Sequence, residues 1–236
     1  PPRSTLFPYT TLFRSVGEGD IPAAAKAGVQ AIYLAVGISI AISIVGLFFS
    51  ENILGLMGAS ESVIASGSGY TRWMLGGNIT VMLIFLINAI FRGAGDASLA
   101  MRVLILSNAL NIILDPIFIF GFGPIPAFGV EGAAIATTIG RGIGVLYQIS
   151  HLIYGKGLIK IHRQNLPIDF GLIGRLIKVS AGGTGQFIIA SASWIFLVRI
   201  VSTFGSEALA GYTIAIRVIV FAILPAWGMA NAAATL

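Results

Sequence analysis

Six stretches of this chain stay apolar for about 20 residues or more: 28–49, 65–91, 103–122, 129–154, 179–204 and 207–229. A helix rising 1.5 Å per residue needs about 20 residues to cross ~30 Å of hydrocarbon, so each stretch is long enough to span a bilayer. Barrel strands are ~10 residues long and alternate apolar with polar, which these stretches do not. In lipid the backbone must satisfy its own polar groups, and the expected fold is therefore all-α, a polytopic transmembrane helical bundle of six spans.

What remains of the chain cannot coat a soluble surface. Of 236 residues, 56% are hydrophobic and 10% charged, where a soluble domain carries ~25% charged residues. The mean hydropathy is +0.94. A soluble enzyme, a secreted module and a disordered hub are excluded. The absence of cysteine rules out disulfides, thiolate zinc sites, iron–sulfur clusters and a cysteine nucleophile. The net charge of +5 does not form a basic face interleaved with aromatics, so no nucleic-acid partner is expected. It lies instead in short clusters between apolar runs.

Those clusters sort by side. Segments 16–27, 92–102 and 155–178 hold Lys26, then Arg92 and Arg102, then Lys156, Lys160, Arg163, Arg175 and Lys178. Segments 50–64, 123–128 and 205–206 hold neither lysine nor arginine. The positive-inside rule puts the first set in the cytoplasm, with both chain ends on that side. The longest loop, 155–178, divides four spans from two; in it Asp169 is placed to cap a short interfacial helix from Phe170 to Lys178. Leu172, Ile173, Leu176 and Ile177 would share its apolar face, opposite Arg175.

The first fifteen residues, PPRSTLFPYTTLFRS, have neither a signal-peptide core nor a transit-peptide period. Thr5 to Ser15 looks like a translated sequencing adapter. Residues 1–15 are expected to be a non-native tail, with coding sequence from about Val16 and a chain that is a fragment at both ends.

Ionisable residues inside spans are costly and are functional candidates. They are Arg72, Asp115, Arg141, Arg199 and Arg217. Arg72 and Asp115 both lie six to eight residues from the outer ends of their helices, so an ion pair between them is open, as is ion coupling at Asp115. Arg199 is near a span end and can snorkel. Arg141 and Arg217 fall near mid-span and should face protein, in a structural or a functional role. Pro116 and Pro225 interrupt spans and free carbonyls. Asn78, Asn88, Asn108, Asn111, Thr137, Thr138, Tyr147, Gln148, Gln186, Ser191, Ser193 and Tyr212 add neutral polar groups. Singly these suit interhelical hydrogen bonds; together they suit a cavity for an amphipathic solute. Its lining candidates are Asn78, Gln186, Ser191, Ser193 and Arg217. His151 and His162 lack a carboxylate cluster, so no metal site, no catalytic set and no cofactor are expected.

The stretch from Phe91 to Arg141 resembles the multidrug and toxic compound extrusion (MATE) family. The matching elements are Arg92-Gly93-x-Gly95-Asp96, Asn111-Ile-Ile-Leu-Asp115-Pro116 and Pro126-Ala-Phe-Gly129-Val-Glu-Gly132-Ala-Ala-Ile-Ala136-Thr137. Weaker matches at Val16-Gly17-Glu18-Gly19-Asp20, Tyr70-Thr-Arg72 and Gly205 to Leu236 extend it over about 16–236. The resemblance implies a twelve-helix antiporter of two lobes in the bacterial cytoplasmic membrane, exporting cationic or amphipathic organic compounds in exchange for protons or sodium. Residues 16–154 would be four spans of the first lobe, 155–178 the linker and interfacial helix, and 179–236 the first two spans of the second lobe, together helices three to eight. The missing helices of the same chain would be its partners, beside the bilayer and a small organic substrate, and the fragment alone would not transport. The family's coupling aspartate in helix one would lie outside the chain, and span 179–204 lacks the glutamate some members carry in helix seven. A lipid-linked oligosaccharide flippase of the same superfamily, an intramembrane lipid-modifying enzyme and a passive subunit are the alternative readings.

Overall fold

A computed structural model describes residues 20–155 and 157–235. The expected tail 1–15, the match at 16–19 and Lys156 lie outside the described residues. Among the described residues seven α-helices follow in order: α1 Ile21–Leu56, α2 Glu61–Gly76, α3 Asn78–Gly93, α4 Ala97–Phe120, α5 Val130–Tyr154, α6 Phe170–Ser202 and α7 Ser206–Thr235. A single 3-10 turn, Arg163–Asn165, sits in the linker.

Four of these helices, α1, α4, α6 and α7, are long and apolar enough to cross a membrane, and the bent pair α2–α3 makes up to five. The chain is a multi-pass membrane protein in its fold. The count of six spans is approximate: α5 is 25 residues long, but Arg141, Gln148 and His151 make it more polar than the others. Its polar side chains have protein around them, since α5 packs on α2, α3 and α4.

Expected boundaries differ from the structure at the end of α1, within 65–91 and at the start of α6. The run 65–91 is two helices bent by 44°, with Gly77 between them. A Cβ at Gly77 would stand 2.6 Å from Thr138 Cγ2 and 2.9 Å from Trp73 O, so α5 presses on the bend and only glycine fits. Thr80 restores order on the far side, its Oγ1 donating to Gly77 O at 3.0 Å. Hydropathy could not show this break, although Gly76-Gly77-Asn78 was its signal. The short interfacial helix also proves to be no separate element. Asp169 does accept from Leu172 N, at 2.9 Å, but the helix it caps runs unbroken for 33 residues.

The Arg92-Gly93-x-Gly95-Asp96 motif is a helix-to-helix turn. Gly95 takes φ +81°, a left-handed conformation that ends α3. The Asp96 N–H then donates to Phe91 O at 2.9 Å, while the Asp96 carboxylate accepts from Leu99 N at 3.0 Å to start α4. The α4–α5 pair is held by glycines of α5 against α4. A Cβ at Gly132 would overlap the Phe118 carbonyl, one at Gly144 the Ser107 hydroxyl, and one at Gly140 would lie 3.0 Å from Ser107 O. Close backbone approach replaces the hydrophobic drive that lipid does not supply between helices.

The core gathers where the basic segments lie. Ala24, Ile84, Ile87, Val103 and Leu152 are almost wholly enclosed between α1, α3, α4 and α5. Leu172 and Leu176 are buried at the start of α6. Beyond Gly183, α6 and α7 are largely exposed, with Phe196 at 73% and Phe221 at 78%.

Candidate transport site

Asp115 lies near the end of α4, just before Pro116, and is half-buried. One turn earlier, Asn111 Nδ2 donates to Asp115 Oδ1 at 2.9 Å and to Thr137 Oγ1 of α5 at 3.2 Å. Gly140 lets α5 come this close, since a Cβ there would stand 3.4 Å from Asn111 N. The result is a carboxylate inside a span, held by an amide and next to a hydroxyl. Arg141 is one turn from Thr137 on α5 and half-buried.

The open Arg72–Asp115 pairing is not the one formed. Arg72 Nη2 lies 3.6 Å from Glu51 Oε1, with the two side chains 51% and 64% exposed. The reason is that α1 does not end at residue 49: it continues past an irregular Phe49 to Leu56 and brings Glu51 alongside α2. An ion pair so open to its surroundings contributes little. Among the described residues the other ion pair is Lys26–Asp169, so Asp115 takes no cationic partner there.

The cavity candidates are not drawn together. Gln186, Ser191 and Ser193 lie on the middle of α6, where most side chains are exposed, and Ser193 Oγ donates back to Ile189 O at 2.9 Å. Arg217 sits on the largely exposed α7. Asn78 is at the α2–α3 bend, its Nδ2 buried with no hydrogen-bond partner.

Sequence reasoning missed how α6 is fastened to α1. At the basic end Lys26 Nζ donates to Asp169 Oδ2 at 2.7 Å. Gln30, fully buried, donates to Pro167 O at 3.0 Å and accepts from Asp169 N at 3.0 Å. Tyr33 Oη donates to Leu166 O at 3.0 Å. The Lys26 ammonium and then the Leu172 N–H hold the Asp169 carboxyl below its ordinary value. At the far end Arg199 Nη1 reaches Gly55 O and Leu56 O at 3.5 and 3.4 Å. Between these ends, much of 40–49 in α1 and 186–197 in α6 is exposed. A cleft of about 650 Å³ at the far end is lined by Glu51, Asn52, Gly55, Leu56, Ile64 and Arg199. Small and polar residues at 180–186 and 190–193, on either side of Phe187-Ile188-Ile189, were the available signal for the exposed face, but its partner helix could not be named from sequence.

A second polar layer braces α3 and α5. Gln148 Nε2 donates to Ile84 O at 3.1 Å and to Asn88 Oδ1 at 2.9 Å, with both side chains fully buried.

These features define a helical membrane protein whose polar groups face one another inside the bundle. The family model MatE matches residues 11–117. The probable multidrug resistance protein NorM of Thermotoga maritima is 27% identical over 96% of this chain and 48% of its own length. YoeA of Bacillus subtilis, a probable multidrug resistance protein, is 29% identical over 80% and 42%. Among solved structures, a multidrug resistance MATE family transporter in its inward-facing conformation superposes with a TM-score of 0.83 at 27% identity, covering 95% of this chain and 51% of that one. A MOP superfamily transporter from Pyrococcus furiosus, whose binding pocket is described as reversed in polarity, gives 0.82 at 27% identity over 97% and 50%. The chain is similar to MATE family transporters over nearly all of its length. It spans about half the length of the relatives it matches.

Proposed function

We propose that the chain is part of a two-lobe antiporter that exports cationic or amphipathic organic compounds across the bacterial cytoplasmic membrane in exchange for protons or sodium ions. The observation that carries this reading is the Asn111–Asp115–Thr137 cluster. A carboxylate inside a span with neutral partners and, among the described residues, no arginine or lysine on it needs a countercharge, and a proton or a small hard cation supplies one. Asn111 donates to one carboxylate oxygen, which leaves the second Asp115 oxygen, the Asn111 amide oxygen and the Thr137 hydroxyl as oxygen ligands. Pro116 cannot donate to the carbonyl one turn earlier, and so loosens the helix beside the cluster.

Transport follows from differential occupancy. Loading Asp115 favours one arrangement of α4 against α5, and release favours the other, so an ion gradient shifts the population. The organic solute would take the exposed middle of α6, where Gln186 and Ser193 share a face and Ser191 lies on the other side of the helix. The basic segments at 16–27, 92–102 and 155–178 support a cytoplasmic side for both ends of this stretch. Arg141 and Arg217 sit on α5, which packs on α2 to α4, and on α7, which packs on α6. They do not form one cationic lining, which favours an organic-solute antiporter over a flippase for anionic lipid-linked sugars.

The test is gradient-driven uptake of an organic cation into proteoliposomes holding the whole transporter that carries this sequence, with proton and sodium gradients imposed separately. Asp115→Asn is expected to lower exchange at least tenfold with either effective ion, and Asp115→Glu to retain part of it. Wild-type exchange by D115N would overturn the assignment.

A further inference from the structure

We infer that Arg199 is a latch that holds the outer end of α6 against α1, and that the Lys26–Asp169 end is the pivot about which α6 moves when this latch opens. The inference rests on the antiporter reading for its purpose, and on geometry for its content. Both helices are joined at their two ends and exposed between them, but the ends are unequal. The basic end has an ion pair at 2.7 Å and three further hydrogen bonds at 3.0 Å, with Leu172 and Leu176 buried beside them. The far end has two contacts from one guanidinium, at 3.4 and 3.5 Å, at the limit of hydrogen bonding.

The latch is nonetheless specific. Arg199 lies at the carboxyl end of α1, where the helix dipole attracts a cation; it reaches Leu56 O and shares Gly55 O with the Gly58 N–H, which donates there at 3.0 Å. Gly58 takes φ +87°, and a Cβ there would stand 2.7 Å from both Arg199 Nη1 and Ser202 Oγ. The α1–α2 turn is therefore shaped to receive the end of α6. Glu51, paired with Arg72, lines the same cleft. Ser202 Oγ, donating to Arg199 O at 2.7 Å, is part of the same contact. When two joints hold one rigid helix, the one with longer, fewer bonds and no buried apolar support opens first.

This stretch contains no cysteine, so spin labels go on introduced cysteines once any cysteine elsewhere in the whole protein has been replaced. One pair, S60C with F204C, spans the outer end; another, A23C with F170C, spans the basic end. Distances are measured in liposomes in the otherwise intact protein. R199A is expected to raise the long-distance population of the outer pair on the order of fivefold, the worth of one hydrogen bond, with the basic-end distribution unchanged. R199K, which keeps the charge and a donor, is expected to stay close to wild type. An unchanged outer distribution in R199A overturns the latch, and so does equal broadening at both ends. If R199A opens the outer end while no variant moves an organic cation, the latch stands and the antiporter reading falls.

Discussion

Lys26 Nζ lies 2.7 Å from Asp169 Oδ2, an ion pair that closes 143 residues of chain. It ties the second turn of α1 to the N-cap of α6, so a single carboxylate both starts a helix and docks it. Asp169 is about one-third exposed, and its contribution comes from hydrogen bonding to the charged form.

The pH dependence of that joint follows from the sign of the shift. The Asp169 carboxyl titrates below its ordinary 3.8 in the folded protein. Its contribution is then fully present above that value and is lost as pH falls through the folded one. Thermal unfolding in detergent should show no change from this group between pH 8 and pH 5, and a loss that begins only below about pH 4. D169N keeps a capping side chain and should cost less than D169A; equal losses would show that the cap is irrelevant.

The glycine face of α5 predicts a graded series. G132A places a Cβ against the Phe118 backbone and should cost about 1–3 kcal/mol, as overpacking does. G144A meets the Ser107 hydroxyl instead, so S107A should recover much of the loss. G182A, a control on α6 with nothing within 4 Å of its Cβ, should be neutral or stabilising. Unfolding in a denaturing detergent titration reads all three, and a uniform response would contradict close packing at Gly132.

Gln148 and Asn88 form a buried pair whose single and double variants should differ. Q148L leaves Asn88 Oδ1 and Ile84 O without their donor and should destabilise by about 1–3 kcal/mol. N88L with Q148L removes both side-chain partners, and the double variant should be less unstable than the sum of the singles. Additive losses in a double-mutant cycle would show that the two act separately.

Asn111 is expected to position Asp115. N111A removes the hydrogen bonds to both Asp115 and Thr137, and N111D adds a like charge one turn away. Coupled exchange should fall in both variants, and unchanged exchange in N111A would mean that Asn111 does not position Asp115.

Much of the architecture was legible because lipid imposes one rule on every residue of a span. Apolar run length marked α1, α4, α6 and α7, and the capping role of Asp169 was readable from one residue before its helix. The motif at Arg92 to Asp96 could be recognised, and the structure adds that it is a left-handed turn followed by a cap. The same rule hid the break at Gly77, since hydropathy averages over a bend. It also hid the length of α1, because Glu51 reads as loop when only the apolar run is counted.

The sequence by itself determined that this chain crosses a membrane as helices, which residues carry its charge, and that Asp115 stands inside a span beside Pro116. It could do so because hydrophobicity, helix propensity and capping are local properties of neighbouring residues. Tertiary structure alone decided that Arg72 meets Glu51 rather than Asp115, that Asn111 and Thr137 share the Asp115 site, and that α6 is held to α1 at Lys26 and at Arg199. Those pairings depend on helix rotation and approach, which are set by glycines far along the chain and by backbone contacts that no sequence window contains.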